Sequence, residues 1–398
     1  MTIKRLLPSL ALSLAALSPV TGAATLESIG HIHNLTFAGV QQKTLLLGAH
    51  HGLYAYEQNK VRQISQDSFD IMGLTQGSGS EELYASGHPA GGGNAGLLRS
   101  SDGGQSFVQI SEGLDGPVDF HHLSISPINA QLIYGVHRAL QVSRDGGNSW
   151  VKQGELPQKL LKLTASGLQE NRLYAASERG LFISEDSGLN WQVLLPQPTT
   201  TVIINDAEVL AFVVGKGLIS ASESDLQWRE INNSFGSQVL LDLALSGDGQ
   251  RYVGLNQYGA LIESHDRGTS WQSLPAKPQP QTQQEKLGQK LFQANCQSCH
   301  GIEAVGETYS TEGLTTQGFL FAPALNGSMH GWHHTDEQLV KTILEGSPRT
   351  PKMPAWKGTL SEADALATIT YLKTLWGDTQ KRCQGSGHMD RNCLKGNK

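Results

Sequence analysis

The run Cys296-Gln297-Ser298-Cys299-His300 carries the most specific chemistry in the chain. Two thiols three positions apart can each add to one vinyl group of a haem, and the adjacent imidazole can reach the iron. A redox dithiol and half of a zinc site are the other uses of a C-x-x-C pair. Neither requires the histidine that follows. Two further cysteines, Cys383 and Cys393, flank His388-Met389. In an oxidising compartment they are expected to close a disulfide around the tail, with a thiol, imidazole and thioether copper site as the chemical alternative.

Histidine is the second signal. Of 14 in the chain, eight fall between residues 31 and 137, and none between 138 and 264. His31, Asp70 and Asp119 align as one column, with His33, Met72 and His121 two residues on, a spacing that keeps one strand face. His50, His51 and His137 fall where a second strand would end, and His88 in the matching loop. This register gathers His31, His33, His50, His51, His88 and His121 with Asp70 and Asp119 on one rim. Neutral imidazoles backed by carboxylates suit copper or another transition metal. The same residues could instead line a polar channel mouth and bond each other and water. A third cluster, His330-Gly331-Trp332-His333-His334, could shield a haem edge or bind metal.

The elements that must position these residues show a repeat. Ser-x-Asp-x-Gly-x-x-aromatic occurs at Ser100–Phe107, Ser143–Trp150, Ser184–Trp191 and Ser264–Trp271, with a degraded copy ending at Trp228. The aromatics lie 43, 41, 37 and 43 residues apart. Asp caps backbone amides and Gly accepts positive φ, so each copy is a tight turn between short strands. A period near 40 residues with four strands predicts an all-β propeller. About six blades are expected, with inner strands near Leu35, Leu74, Leu123, Leu163, Ile203 and Leu243. Seven blades or a strand-swapped closure stay open.

These copies resemble the Asp-box (BNR) repeats of sialidases and sortilin-type propellers, over residues 25–274. The resemblance implies the fold. The arginine triad and Arg-Ile-Pro-like motif of sialidases have no counterpart here, so it implies no sialidase activity. The segments HIHNL, AHHGL, SGHP and DFHHL also resemble exported Asp-box proteins called glycosidase-like, a name that establishes no activity.

Residues 275–284 form a Pro/Gln linker without apolar pattern. Beyond it, residues 285–376 resemble a class I cytochrome c, an all-α domain expected to span 285–378, followed by a tail at 379–398. The resemblance implies that a first helix, with Gly288 and Phe292, crosses a last helix near Tyr371. It also implies that the Pro323 carbonyl accepts a hydrogen bond from the haem-ligating His300. Among five methionines, Met1 is in the leader and Met72 in the propeller. Met329 follows Pro323 too soon for the family pattern, and Met389 lies beyond the last helix. Met353, flanked by prolines in a polar loop, remains as the second axial ligand, giving one covalent haem c with His300 and Met353 on iron.

Composition sets the outer limits. The 398 residues carry a net charge of −6, which argues against a general nucleic-acid partner. Residues 25–274 hold 15 basic and 25 acidic side chains, residues 285–398 hold 12 and 11. Lys4-Arg5, an apolar run to Leu17 and small residues to Ala24 read as a signal peptide over 1–24, cleaved near Ala23 or Ala24. No later run is apolar enough to span a bilayer. The expectation is therefore a periplasmic electron-transfer protein with a partner redox protein. Its propeller docks a partner or carries a His-rich metal redox site. The alternative is a glycan-directed hydrolase or binding propeller tethered to a cytochrome.

Overall fold

The computed structural model describes residues 26, 29, 32–58, 60–77, 81–236, 238–257, 259–274, 280–306, 322–327, 330–347 and 352–385. The leader, His31, Met329, Met389, Cys393 and the linker's residues 275–279 lie outside them.

Strands form because each repeat alternates short apolar runs with obligatory turns. Six four-stranded antiparallel sheets result, each built from consecutive strands. They span residues 32–63, 69–111, 122–152, 160–195, 199–232 and 240–274, here blades one to six. The inner strands are Ile32–Ala38, Phe69–Gln76, His122–Ser126, Leu160–Ala165, Thr199–Asn205 and Leu240–Leu245. Because no sheet borrows a strand, the strand-swapped closure does not apply, and the described residues hold no seventh blade.

The core lies between blades, not inside them, so strands such as Leu173–Ser177 are buried on both faces and lose the period-two signal. Leu45, Leu47 and Tyr54 of blade one pack with Val253, Leu255 and Leu261 of blade six, closing the ring. A polar bond seals the same seam: Leu35 N–H donates to Asp242 Oδ2 at 2.9 Å.

The repeated turn has one geometry. Ser100 Oγ donates to Asp102 Oδ1 at 2.7 Å and accepts the Gly104 amide at 2.8 Å, while Asp102 Oδ1 accepts the Ser106 amide at 3.0 Å. Ser143–Asp145, Ser184–Asp186 and Ser264–Asp266 repeat it. In the degraded copy, Ser224 stands in the aspartate position and its hydroxyl meets Ser222 Oγ at 2.8 Å. Gly104 has φ +91° and a Cβ there would lie 2.2 Å from Leu53 of the preceding blade, so the glycine serves both turn and packing.

The C-terminal region is helical. Its elements are α1 (Gln283–Asn295), α2 (Gln297–His300), α3 (Asp336–Glu345), α4 (Glu362–Thr374) and α5 (Asp378–Arg382). Thr282 with Glu285, and Ser361 with Asp364, form capping boxes at the starts of α1 and α4. These two helices cross at Gly288, where a Cβ would lie 1.9 Å from the Ala367 carbonyl oxygen. Beside that crossing Phe292 and Tyr371 rings pack at 5.6 Å. None of the described helices is long and apolar enough to cross a membrane.

The helical domain sits directly on blade six and the segment leading into it. Gln297 Nε2 donates to the Ser234 carbonyl at 3.0 Å, and Ser273 N–H donates to Glu303 Oε1 at 2.8 Å. Ile302 joins the cluster of Phe235, Leu243 and Trp271.

Candidate functional site

The C-x-x-C-H run begins where α1 ends. Cys296 caps α1, and Cys299 and His300 lie on the short α2, so the two thiols and the imidazole are held on one turn. His300 is 6% exposed, and its Nδ1 lies 2.8 Å from the Pro323 carbonyl. A carbonyl only accepts, so Nδ1 carries the proton and Nε2 keeps the lone pair that ligates a metal.

The thiols discriminate among uses of the pair. Cys296 and Cys299 are not bonded to each other, whereas Cys383 is disulfide-bonded. Cys296 packs against the Phe292 and Tyr371 cluster, and burial, aided by Cys299, pushes its thiol up to about 11. A redox dithiol needs the opposite shift. A buried, apolar, unpaired thiol next to an oriented imidazole fits covalent attachment of a haem, which the thiols would hold and His300 would ligate. Met353 is half-buried in the loop between α3 and α4, where its carbonyl accepts the Ser347 amide at 3.2 Å.

In the third histidine cluster the Trp332 and His333 rings stack at 3.7 Å. The segment after α5 ties onto it: Gly385 N–H donates to the Trp332 carbonyl at 3.1 Å, and Gln384 Nε2 to the His334 carbonyl at 3.2 Å. The His330 side chain lies outside the description.

On the propeller, seven of the eight expected rim residues are described, and they do not form one cluster. Six of them divide into two triads. In the first triad, His33 Nε2 lies 3.3 Å from Asp70 Oδ1 and 3.3 Å from His50 Nδ1, and His50 Nδ1 lies 3.0 Å from Asp70 Oδ2. In the second, Asp119 Oδ2 meets His121 Nε2 at 2.6 Å and His88 Nε2 at 3.1 Å. The hydrogen bond that His121 donates to Asp119, with burial acting against it, leaves His121 with a raised pKa. His51 belongs to neither triad; its carbonyl accepts Gln63 Nε2 and Ser68 Oγ. His31 lies outside the described residues. His137, not placed among the ligands from sequence, bonds the Asp119 backbone through Nδ1 at 3.1 Å and holds that aspartate in place.

The split follows from register. Asp70 pairs with His88 across the first two strands of blade two, so one blade supplies a residue to each triad. Blade one completes the first with His33 and His50, and the strand-entry residues of blade three complete the second.

Two charged residues of the channel were not anticipated. Lys162 and Asp242 occupy the position just after a bulge in the inner strands of blades four and six, and Nζ meets Oδ1 at 2.5 Å across the ring. Burial, and next the Lys162 charge, push the neighbouring His122 down to about 4. The available signal was a lone Asp in the apolar run Val239–Leu243.

The family described as cytochrome C oxidase, cbb3-type, subunit III matches residues 283–372. The chain is 37% identical over 90 residues to cytochrome c55X of Pseudomonas aeruginosa, covering 23% of this chain and 63% of that protein. It is 30% identical over 105 residues to the cbb3-type cytochrome c oxidase subunit FixP of Bradyrhizobium sp., covering 26% of this chain and 32% of that one. The chain thus spans less than two thirds of either relative. Among solved structures it is similar to the GH74 xyloglucanase from Xanthomonas campestris, with 16% identity, TM-score 0.44, and coverage of 61% of this chain and 45% of that one. It is also similar to YCF48 from Cyanidioschyzon merolae, at 14% identity, TM-score 0.39, and coverage of 61% and 84%. The C-terminal region is a c-type cytochrome domain, joined to a six-bladed propeller.

Proposed function

We propose that this chain is an exported, periplasmic electron-transfer protein. In this proposal one covalent haem c passes electrons to or from a partner redox protein, and the propeller is the body on which the haem domain is mounted. The single observation that supports it most is the His300 Nδ1 to Pro323 carbonyl bond beside two unpaired thiols. Bound haem would supply one-electron redox chemistry at iron. Cys296 and Cys299 would tether it, and His300 Nε2 and the Met353 thioether would ligate its iron. A thioether ligand favours the ferrous state and leaves no coordination site for a substrate.

The domains this proposal uses are a leader over 1–24, a propeller over 25–274, a linker over 275–284, a cytochrome over 285–378 and a tail over 379–398. The hydrolase alternative gains nothing from the geometry, because Asp70 and Asp119 are each engaged by two imidazoles.

Acid–acetone extraction of protein from a host competent for haem attachment tests the proposal. The polypeptide should stay coloured, with one haem per chain. Complete loss of colour would overturn it.

A further inference from the structure

We infer that the two triads on blades one to three are adjacent sites for divalent first-row transition ions. One comprises His33, His50 and Asp70, the other His88, Asp119 and His121. The inference is independent of the haem proposal.

Ligand spacing supports it first. Bonds of about 2.0–2.1 Å to a tetrahedral ion place neighbouring ligand atoms about 3.3 Å apart, and an octahedral ion brings them to about 3.0 Å. In the first triad His33 Nε2 and His50 Nδ1 lie 3.3 Å apart, and each faces its own oxygen of Asp70, Oδ1 at 3.3 Å and Oδ2 at 3.0 Å, so the carboxylate could ligate through both.

Orientation supports it second. His88 Nδ1 lies 2.9 Å from the Gly93 carbonyl, which fixes the ring with Nε2 turned toward the Asp119 carboxylate, 3.1 Å away. A cation can be held by that nitrogen and that carboxylate together.

Charge supports it third. Asp119 is 3% exposed and its Oδ1 has no hydrogen-bond partner; Asp70 Oδ1 is buried, with His33 Nε2 3.3 Å away but no hydrogen bond formed. Among the described ion pairs, neither aspartate meets a lysine or arginine. Buried carboxylates are costly without a compensating cation. The propeller is itself acidic, with 25 acidic and 15 basic side chains over 25–274, so its field draws cations in.

Two imidazoles and one carboxylate leave positions open for solvent or a small ligand, as at catalytic rather than structural metal sites. The placement adds a relation to the cytochrome. The triads sit where inner strands begin and second strands end. The Ser234 carbonyl, which accepts Gln297 Nε2 of the haem-motif segment, lies in the loop that enters blade six's inner strand, on that same rim. Metal and haem would share one face of the ring.

The test uses the full haem-loaded chain, stripped with a chelator that leaves covalent haem in place, then titrated separately with Zn²⁺ and Cu²⁺. Bound metal is counted against haem iron. The expected result is two ions per haem. His33→Gln with His50→Gln should bind one, and His88→Gln with His121→Gln should bind one. The four-fold variant should bind none, with circular dichroism and haem spectrum unchanged in all three. Unchanged stoichiometry in the variants would place any bound metal elsewhere, on the cytochrome or tail histidines, and overturn the inference. So would fewer than two ions in the unmutated chain. If a double variant loses its native circular dichroism, Asp70→Asn and Asp119→Asn provide the same subtraction with nearly unchanged shape.

Discussion

Ser273, at the end of the propeller, donates both its amide and its hydroxyl to the carboxylate of Glu303, three residues beyond His300. Glu303 is 7% exposed, and its neighbour Ile302 is 2% exposed against Phe235 and Trp271. The haem motif is therefore braced by the last blade and does not hang from a linker. Replacing Glu303 with Ala leaves two partly buried donors without that partner, at about 1 kcal/mol for each. The variant should be cut by a nonspecific protease at residues 275–284 at least several-fold faster than the parent, with its haem spectrum intact. Equal cleavage rates would show that the brace does not restrain the linker.

Removing the ligand proposed at Met353 should have an optical signature. In ferric protein a weak near-infrared charge-transfer band accompanies thioether coordination. Met353→Ala should abolish it and lower the reduction potential, because a soft ligand stabilising ferrous iron is lost. Should Met329→Ala or Met389→Ala do so instead, Met353 is not the ligand.

The repeat was legible because each Ser-x-Asp-x-Gly turn is local: Ser100, Asp102 and Gly104 satisfy one another within five residues. The C-x-x-C-H run and the Ser361 cap were legible for the same reason. What the sequence could not reveal depends on contacts across the ring. Lys162 and Asp242 are 80 residues apart, and Gln297 is 63 from Ser234. Nor could the rim be partitioned in advance. Column alignment grouped His33 with His121, but pairing of Asp70 with His88 across blade two decides which imidazole meets which carboxylate. The cytochrome's seating on blade six was hidden by a linker whose composition suggests independence.

The repeated turns should make stability acid-sensitive. Ser106 and Ser149, through hydroxyl and amide, hold Asp102 and Asp145 down at about 2. A carboxylate depressed when folded adds stability above its unfolded value near 3.8, and that gain vanishes as pH falls toward 2. Asp145→Ala should therefore lower the melting temperature at pH 6, and the gap to the parent should close between pH 4 and 2. A gap that stays constant over that range would show that the carboxylate's charge does not contribute.

Gly288 makes the crossing of α1 and α4 possible. An alanine there would put a methyl 1.9 Å from the Ala367 carbonyl oxygen and 2.9 Å from Tyr371 Cβ, both closer than contact allows. Backbone must move, at a cost of about 1–3 kcal/mol for overpacking. Gly288→Ala should lower the midpoint of the transition followed by haem absorbance, and leave the propeller transition, followed by hydrogen exchange of its strand amides, largely in place. A haem-domain midpoint equal to the parent's would mean the helices tolerate a wider crossing.

Asp242 is 3% exposed, and it accepts Leu35 N–H from blade one and the Lys162 ammonium from blade four. One carboxylate thus ties the closing seam of the ring to a blade on its far side. Lys162→Met keeps much of the side chain's length but leaves Asp242 as a buried charge with only the neutral Leu35 and Leu243 amides, which should cost about 3 kcal/mol. Asp242→Asn alone keeps an acceptor for Leu35 while stranding the ammonium, which is partly exposed and loses less. In Lys162→Met/Asp242→Asn neither charge remains, so most of the lysine variant's loss should return. Denaturant unfolding of the four proteins gives the coupling directly. If the two single losses simply add in the double variant, the pair does not act as a unit, and ring closure rests on the apolar seam between Leu45, Tyr54 and Val253 alone.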